Sequence, residues 1–333
     1  MQDVVVVSLF NGLSGGRLAL ADVAELNVLR YYSSEIDKYA IQVADANFPE
    51  DIPYKLGDVR GIDTAALLAD VSQEFPGAPI MLIGGSPCQS FSFAGKQNGA
   101  TTTTNVEITS LAQYLELASG GFEFDGYSYL FWEFMRVKEG LSPTYYLLEN
   151  VKMSKHWEDV LTSAVGDSPI LINSSLVSAQ NRARLYWTNI QGIVQPTDLG
   201  LIPADVLPDN YEPFTIEQFK PGVRGNIVRE YNAIIRSTSM LHTCACTSGW
   251  QDNKVGIMKS PTLRAMNTFT LIRTANMSIR RVTPTDAEIL QTVPLGYTAH
   301  VSNTQRLKML GNGWTIRVIS HILRYIVNNA RWQ

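Results

Sequence analysis

Apolar and polar positions follow a regular pattern over the first 190 residues, where short apolar runs lead into segments with apolar residues at helical spacing. The first run, Val4–Leu9, is dominated by β-branched residues, which is typical of a strand buried on both faces of a parallel sheet. A glycine-rich turn, NGLSGG, follows it and leads into an apolar-faced helix with Leu18, Leu20, Val23 and Leu26. Strand, glycine turn and helix in this order form the opening unit of a doubly wound α/β fold.

The same unit recurs along the chain. A helix is predicted from about Lys38 to Asn47, and the further strand candidates are Val28–Ser33, Pro79–Ile83, Thr144–Leu148 and Leu185–Asn189. We therefore predict a Rossmann-like α/β domain built on a parallel sheet. Residues 97–125 break the rhythm with small polar residues, and they predict a long mobile loop that leaves the strand at 79–83.

The pattern changes at about residue 191, where prolines, glycines and short strand-like pieces such as Leu271-Ile272 replace it. This change predicts a smaller, irregular, β-rich second domain over 191–282. After it, Thr283-Pro284 begins a capped helix, and an apolar-faced helix over Thr315–Asn328 ends the chain. Residues 1–190 and 283–333 are thus expected to form the larger domain together.

Charge adds a candidate partner to this picture. Residues 218–282 hold ten Lys and Arg against two acidic residues, a local charge of +8 in a chain whose net charge is −4. A basic segment in an acidic chain favours binding to nucleic-acid phosphates, although a solvated basic surface fits the charge equally well. The chain has neither an apolar run long enough to span a membrane nor a signal-peptide pattern, and its three cysteines form no disulfide framework. We expect a cytoplasmic protein in which Cys88 is a free thiol.

Candidate chemistry follows the ends of the predicted strands, where open parallel sheets bind their ligands. The turn at Gly12 lets the backbone approach a nucleotide, Glu35 is placed to bind ribose hydroxyls, and Asp58 could accept an adenine amino group. The turn has neither the GxGxxG spacing of dinucleotide sites nor the lysine of a P-loop. These features favour an adenosine-containing cofactor, and S-adenosylmethionine fits them better than a dinucleotide.

A second set of candidates surrounds Cys88, which follows a proline in the loop GGSPCQSFSFAG. A free cysteine is more often a small buried residue than a nucleophile, but this one lies at the ligand-binding edge. Glu149 follows the apolar run YYLL, and because burial favours the neutral form of a carboxyl group it is a candidate proton donor. Arg182 and Arg184 alternate on an extended segment and point the same way, so they could hold an anionic or carbonyl oxygen.

These motifs together resemble the cytosine-C5 DNA methyltransferases. The resemblance rests first on Pro87-Cys88-Gln89, Glu149-Asn150-Val151 and Gln180-x-Arg182-x-Arg184, which occur in that order. It continues along most of the chain with Phe10-x-Gly12, Glu35, Gly57-Asp58, Leu130, Arg281-x-Thr283-Pro284 with Leu290-Gln291, and Leu310-Gly311-Asn312-Gly313. Trp314, after the last motif, is similar to the eukaryotic de novo enzymes, whereas the short chain is similar to phage or prokaryotic orphan enzymes.

The resemblance implies that a cytosine is flipped out of double-stranded DNA, attacked at C6 by Cys88 and methylated at C5 from S-adenosylmethionine. It implies catalytic roles for Cys88, Glu149, Arg182 and Arg184. It implies cofactor contacts by Phe10, Gly12, Leu13, Glu35, Ile36, Asp58, Val59, Pro87, Leu130, Asn312 and Gly313. DNA contacts are expected from Gln89, Ser90, Gln180, Lys259, Thr262 and Arg264. The 97–125 loop is expected to close behind the flipped base. We expect a monomer without a bound metal.

Three alternatives remain open at this point. An RNA cytosine methyltransferase of the tRNA-modifying branch shares the catalytic residues, and a catalytically inactive DNA-binding homologue shares the fold. A nucleotide-binding redox protein could use Cys88, although no resolving cysteine lies near it in the sequence. His242-x-Cys244-x-Cys246 could be metal ligands, but their spacing is too tight for ordinary structural zinc.

Overall fold

The fold was analysed in a computed structural model of the chain. The residues that it describes are 1–92, 99–208, 243–246, 254–257, 259–260, 262–263, 270–273 and 279–330.

A seven-stranded sheet forms the centre of the larger part of the molecule. Its strands are β1 (Gln2–Leu9), β2 (Leu26–Ser34), β3 (Lys55–Gly57), β4 (Ile80–Gly85), β5 (Tyr145–Val151), β6 (Ile170–Asn173) and β7 (Ala183–Thr188). They lie in the order β3-β2-β1-β4-β5-β7-β6. The first five are parallel to one another, whereas β7 pairs antiparallel with both β5 and β6. The predicted Rossmann-like α/β class is confirmed, but an all-parallel sheet is wrong at this edge, because β7 follows β6 without a crossover helix and returns antiparallel between β5 and β6.

Helices cover the faces of this sheet. They are α1 (Gly15–Ala21), α2 (Lys38–Asn47), α3 (Thr64–Glu74), α4 (Leu111–Ser119), α5 (Leu130–Leu141), α6 (Lys155–Val165), α7 (Pro203–Val206), α8 (Pro284–Leu290), α9 (Asn303–Asn312) and α10 (Ile316–Ala330). The predicted cap of α8 is present, since Thr283 and Asp286 form a reciprocal capping box. Helix α1 is shorter than its apolar pattern suggested, because Leu26 already begins β2.

The alternation of side chains along β1 explains its unbroken apolar run. Val4 and Val6 point into one buried cluster with α1 and α10, whereas Val5 and Val7 point into a second cluster with α3 and α5. All four valines are at most 1% exposed. Burying a valine side chain stabilises the fold by about 1.5–3 kcal/mol, so a strand that lies between two cores needs apolar residues at every position.

The segment predicted as a loop over 97–125 is folded where the structure describes it, from residue 99 onward. It contains α4, which Ser110 caps, and isolated bridges pair Thr101 with Glu107 and Thr102 with Phe124. Ile108 and Tyr114 are buried in the second core. The loop prediction is wrong here, because apolar residues between the small polar stretches pack into the second core and against α5.

A second sheet, antiparallel and four-stranded, lies within the predicted 191–282 region. Its strands are β8 (Thr243–Cys246), β9 (Lys254–Ile257), β10 (Thr270–Arg273) and β11 (Ile279–Arg281), in the order β11-β10-β8-β9. Leu207 and Leu263 of the same region belong to the first core of the larger part. The domain boundaries therefore stay a prediction. Leu207 and Leu263 lie in the predicted second domain but pack against residues of the first.

Two further observations concern the described residues only. None of the helices there is long and apolar enough to cross a membrane. No group of three or more His, Cys, Asp or Glu side chains is placed there to hold a metal ion. His242 of the possible metal motif lies outside the described residues.

Candidate functional site

A cavity of about 380 Å³ opens at the carboxyl ends of β1, β2, β4 and β5. This is the edge at which a doubly wound sheet binds ligands, because the loops after neighbouring parallel strands meet there. All eleven predicted cofactor residues and all four predicted catalytic residues line it. The sequence motifs, which are spread over most of the chain, thus converge on one site.

The turn after β1 forms the floor of the first half of the cavity. Phe10 and Gly12 both have φ of 55°, and Ser14 has φ of 64°, so this turn uses the left-handed region three times. Glu35 holds the turn in place, since its Oε2 accepts the Gly12 N–H at 2.7 Å. Its Oε1 accepts the N–H groups of Ile36 and Asp37, each at 2.8 Å. Glu35 therefore shapes the turn as well as facing the cavity.

Asp58 lies at the far end of the same half. Its carboxylate accepts hydrogen bonds from the Arg60 guanidinium and from the Arg60 backbone N–H at 3.0 Å. The Arg60 side chain holds the pKa of Asp58 below its usual range. Arg60 and Tyr129 line the cavity beside Asp58, so this end combines a carboxylate, a guanidinium and an aromatic ring.

Cys88 occupies the second half, in a tight turn directly after β4. The carbonyl of Cys88 accepts the N–H groups of Phe91 at 3.1 Å and Ser92 at 2.9 Å. Burial raises the pKa of the Cys88 thiol, and the charge of Glu149 adds to this effect. Arg184 and Arg182 act in the opposite direction. The sulfur is therefore protonated at neutral pH in this arrangement and needs to lose its proton before it can attack.

Glu149 ends β5 opposite Cys88 and is held through both carboxylate oxygens. Arg184 Nε lies 3.0 Å from Oε1, and the Trp314 indole Nε1–H donates to Oε2 at 3.1 Å. The neighbouring Asn150 donates from Nδ2 to the Ser86 hydroxyl at 3.0 Å, which ties the end of β5 to the loop of Cys88. These contacts fix the orientation of the carboxylate toward the cavity.

The two arginines have different roles although both line the cavity. Arg182 is 3% exposed and donates to three backbone carbonyls, those of Leu263, Gly311 and Gly313, at 2.9–3.2 Å. Burial lowers the pKa of Arg182 to about 9, and the neighbouring Arg184 adds to this effect. Arg182 is thus a bridge between segments, whereas Arg184 faces Glu149.

The predicted DNA contacts are only partly supported. Gln89 is exposed at the cavity, and Thr262 is partly exposed with its hydroxyl donating to the Asn181 carbonyl at 2.6 Å. Three other residues predicted to contact DNA are buried or already have hydrogen-bond partners in this structure. They are Ser90, which is 6% exposed, Gln180, which is fully buried, and Lys259, whose ammonium donates to three backbone carbonyls.

Gln180 and Lys259 instead fasten the segment around residue 260 to the larger core. Gln180 accepts the N–H of Leu263 at 2.9 Å and donates to the Leu290 carbonyl at 3.2 Å. The ammonium of Lys259 lies 2.6 Å from the Leu201 carbonyl. Arg264, the remaining candidate, lies outside the described residues.

Several lining residues have no counterpart among the sequence predictions. They are Asn11, Asp37, Arg60, Tyr127, Tyr129, Gln305, Lys308 and Trp314. Four of them follow a predicted contact directly, as Trp314 follows Gly313, so proximity in sequence to a motif was a usable signal for these four. Lys308 has no such signal, because it reaches the cavity through an ion pair with Asp37 at 2.8 Å across the fold.

Comparison with known proteins adds an independent observation. A family model for C-5 cytosine-specific DNA methylase matches residues 4–164. The type II methyltransferase M1.ScrFI of Lactococcus lactis subsp. cremoris is 26% identical over 342 residues, which cover 95% of this chain and 76% of that protein. The orphan methyltransferase M.Rho11sI of Bacillus phage rho11s is 30% identical over 203 residues, which cover 57% of this chain and only 34% of the phage protein.

The fold has close counterparts among solved structures. The methyltransferase EhMeth of Entamoeba histolytica superposes with a TM-score of 0.61 at 13% identity, covering 99% of both chains. At this identity the likeness shows the fold alone.

Proposed function

We propose that the chain is a C-5 cytosine-specific DNA methylase, as the family model over residues 4–164 and the type II relative support, and that it transfers a methyl group from S-adenosylmethionine to carbon 5 of a cytosine in double-stranded DNA. One observation carries the proposal. Cys88, Glu149 and Arg184 face one cavity whose other half is a glycine turn with acidic residues after two neighbouring strands. A nucleophile for the base and a pocket for a nucleoside are thereby adjacent.

The residues of the first half fit S-adenosylmethionine. A cavity of about 380 Å³ lies within the roughly 300–1,000 Å³ common for small-molecule sites. The backbone at Gly12 can approach a ligand closely, and Ile36, which is 67% exposed, offers an apolar face to an adenine ring. We assign Phe10, Leu13 and Asp58 to the same ligand. When bound there, S-adenosylmethionine supplies an electrophilic methyl group.

Cys88 and Glu149 make the cytosine reactive in this proposal. The proton of the Cys88 thiol passes to Glu149 and on to N3 while the sulfur adds to C6, so that C5 becomes an enamine carbon that accepts the methyl group. Arg184 holds the O2 oxygen, while its Nε keeps Glu149 in place. A base then takes the C5 proton and N3 returns its proton to Glu149, so that Cys88 leaves as a thiolate and the C5–C6 double bond forms again.

The target base has to leave the helix for this chemistry. C6 of a stacked cytosine lies inside the duplex, where a thiol at the cavity cannot reach it, so the base is flipped out. The exposed Gln89, next to Cys88, is then the residue nearest to the gap that the base leaves. The described part of 99–125 is folded onto α5, and closure of this segment behind the flipped base stays a prediction.

The proposal is tested by trapping the covalent adduct. A duplex with 5-fluorocytosine at its target sites cannot lose the C5 substituent, so the wild-type chain with S-adenosylmethionine should form an SDS-stable complex. Cys88→Ala should form none while still binding the duplex in a gel shift. Cys244→Ala is the matched control and should keep the adduct. Absence of the complex in the wild type, or its survival in Cys88→Ala, would contradict the proposal.

Two assays separate this proposal from its alternatives. Bisulfite sequencing of DNA from an expressing bacterium should reveal methylated cytosines in a defined sequence context. Transfer assays on tRNA should give no product, and transfer to tRNA alone would favour an RNA methyltransferase. The relatives come from bacteria and bacteriophages, which supports action in the cytoplasm of a bacterial or phage-infected cell. The monomeric state stays a prediction.

A further inference from the structure

Trp314 makes the contact that this inference starts from. Its indole Nε1–H donates to Glu149 Oε2 at 3.1 Å, while Arg184 binds the other carboxylate oxygen. An indole N–H is a donor only and cannot exchange roles with its acceptor. The bond therefore holds Oε2 with its lone pair toward Trp314 and leaves the carboxylate little freedom to rotate.

The indole lies in a slot that glycines create. A Cβ atom at Gly85 would come within 2.9 Å of both Trp314 Nε1 and Glu149 Oε2. Cβ atoms at Gly16 and Gly15 would lie 3.5 and 3.9 Å from the indole ring. The end of β4 and the start of α1 thus lack side chains where this ring packs, so the indole can reach Glu149 across them.

The backbone on both sides of Trp314 is anchored. The carbonyl of Gly313 accepts hydrogen bonds from Arg182 at 2.9 Å and from Gln291 at 3.3 Å. The Thr315 hydroxyl donates to Gln291 Oε1 at 2.7 Å and accepts from Ser174 at 2.8 Å. A side chain on an anchored backbone in a narrow slot is a rigid support for a neighbouring group.

We infer that Trp314 is a positioning residue that orients the Glu149 carboxyl group toward the flipped cytosine. The inference rests on the proposed function, in which Glu149 acts on N3 of the base. Trp314 does not itself touch the reacting atoms of the base in this assignment. Its effect is on the rate of the chemical step, because a misoriented carboxyl group still permits DNA and cofactor to bind.

The test variant is Trp314→Phe, which keeps a ring in the slot and removes the N–H donor. We expect kcat to fall by about 10- to 100-fold, the effect of losing a hydrogen bond to a charged group. The KM for DNA and the Kd for S-adenosylhomocysteine should stay within about threefold of the wild-type values.

The matched control is Trp187→Phe. Trp187 also donates from its indole, to the Thr162 hydroxyl at 3.0 Å, but it is fully buried away from the cavity. The Trp187→Phe substitution should lower thermal stability without changing kcat by more than about twofold. An equal loss of kcat in both variants, or a loss of binding rather than of kcat in Trp314→Phe, would overturn the inference.

A spectroscopic readout tests the contact without any activity. The chain has six tryptophans, and Trp314→Phe identifies the indole ¹⁵N–H resonance of Trp314 by removing it. Glu149→Ala should shift that resonance and leave that of Trp187 in place, whereas an unmoved Trp314 resonance would overturn the inference. A wild-type chain that transfers no methyl group would contradict the proposed function instead, so the two failures are distinguishable.

Discussion

At the scale of single residues, the site is defined by how the protein sets the charge of Cys88. The thiol is largely buried beside the Glu149 carboxylate, and both features raise its pKa, while two guanidinium groups oppose them. A nucleophile with a raised pKa is inert toward solutes at neutral pH. Reactivity then depends on the arrival of the substrate, which protects the free enzyme from side reactions.

This arrangement predicts the pH dependence of Cys88 alkylation by iodoacetamide. Because the pKa of the thiol lies above its usual range, the rate in the free enzyme should still rise with pH where an ordinary thiol has already reached its plateau. Glu149→Gln removes the neighbouring negative charge and should move the rise to lower pH. Arg184→Gln removes a positive charge and should move it to higher pH.

Peptide-resolved mass spectrometry measures this labelling separately for each of the three cysteines. A rate that levels off at or below the pH of an ordinary thiol, or shifts of the wrong sign in the two variants, would show that burial and Glu149 do not control the sulfur.

At the scale of elements, helix α5 supports the end of the cavity at which Asp58 lies. Arg136 on α5 donates to the carbonyls of Val59 at 2.8 Å and Ile62 at 3.0 Å, which belong to the loop after β3. Glu133 accepts Arg136 Nε at 2.8 Å and the Tyr114 hydroxyl at 2.5 Å. This chain of contacts links α4, in the segment that was expected to be a loop, to the loop that carries Asp58.

Arg136→Met should therefore weaken cofactor binding without touching the cofactor site directly. The loop at 59–62 loses both of its side-chain donors, and we expect the Kd for S-adenosylhomocysteine to rise roughly tenfold, or about 1.4 kcal/mol. Isothermal titration calorimetry measures this value. Arg324→Met, on the exposed side of α10, is the control and should leave the Kd unchanged. An unchanged Kd in Arg136→Met would mean that the loop holds its shape without α5.

At the scale of the whole molecule, the second sheet is joined to the larger part by a buried ion pair. Arg280 of β11 donates to both oxygens of Asp286 on α8, and these side chains are only 2% and 0% exposed. Asp286 also forms the capping box with Thr283. The Asp286 carboxylate thus caps the N-terminus of α8 and also binds Arg280 of β11, the strand that precedes this helix.

Asp286→Asn should destabilise the protein strongly. Removing one partner of a buried pair leaves the other charge uncompensated, which costs about 3–5 kcal/mol in the free energy of unfolding. Urea denaturation followed by circular dichroism measures the change. Asp159→Asn, which breaks the solvent-exposed pair with Lys155, is the matched control and should have little effect. Similar losses in both variants would contradict a special role for the buried pair.

The sequence was most informative where chemistry depends on residue type and on local pattern. Such patterns predict the order of strands and helices and the turn at Gly12. They also predict that Cys88 and Glu149 lie at one edge of the sheet, because parallel strands bring their carboxyl ends together there. The helix α4 was missed, because small polar residues flank it on both sides and its packing against α5 is not visible in a local pattern.

What the sequence by itself determined is which residues reach the site and which chemistry they can perform. Only the tertiary structure decided which polar groups already have partners. Arg182 and Arg184 look equivalent on the chain, yet one binds three backbone carbonyls and the other binds Glu149. Trp314 reaches Glu149 from 165 positions away. Hydrogen-bond partners of this kind come from distant segments, so no local pattern encodes them, and the fold alone assigns each donor to its acceptor.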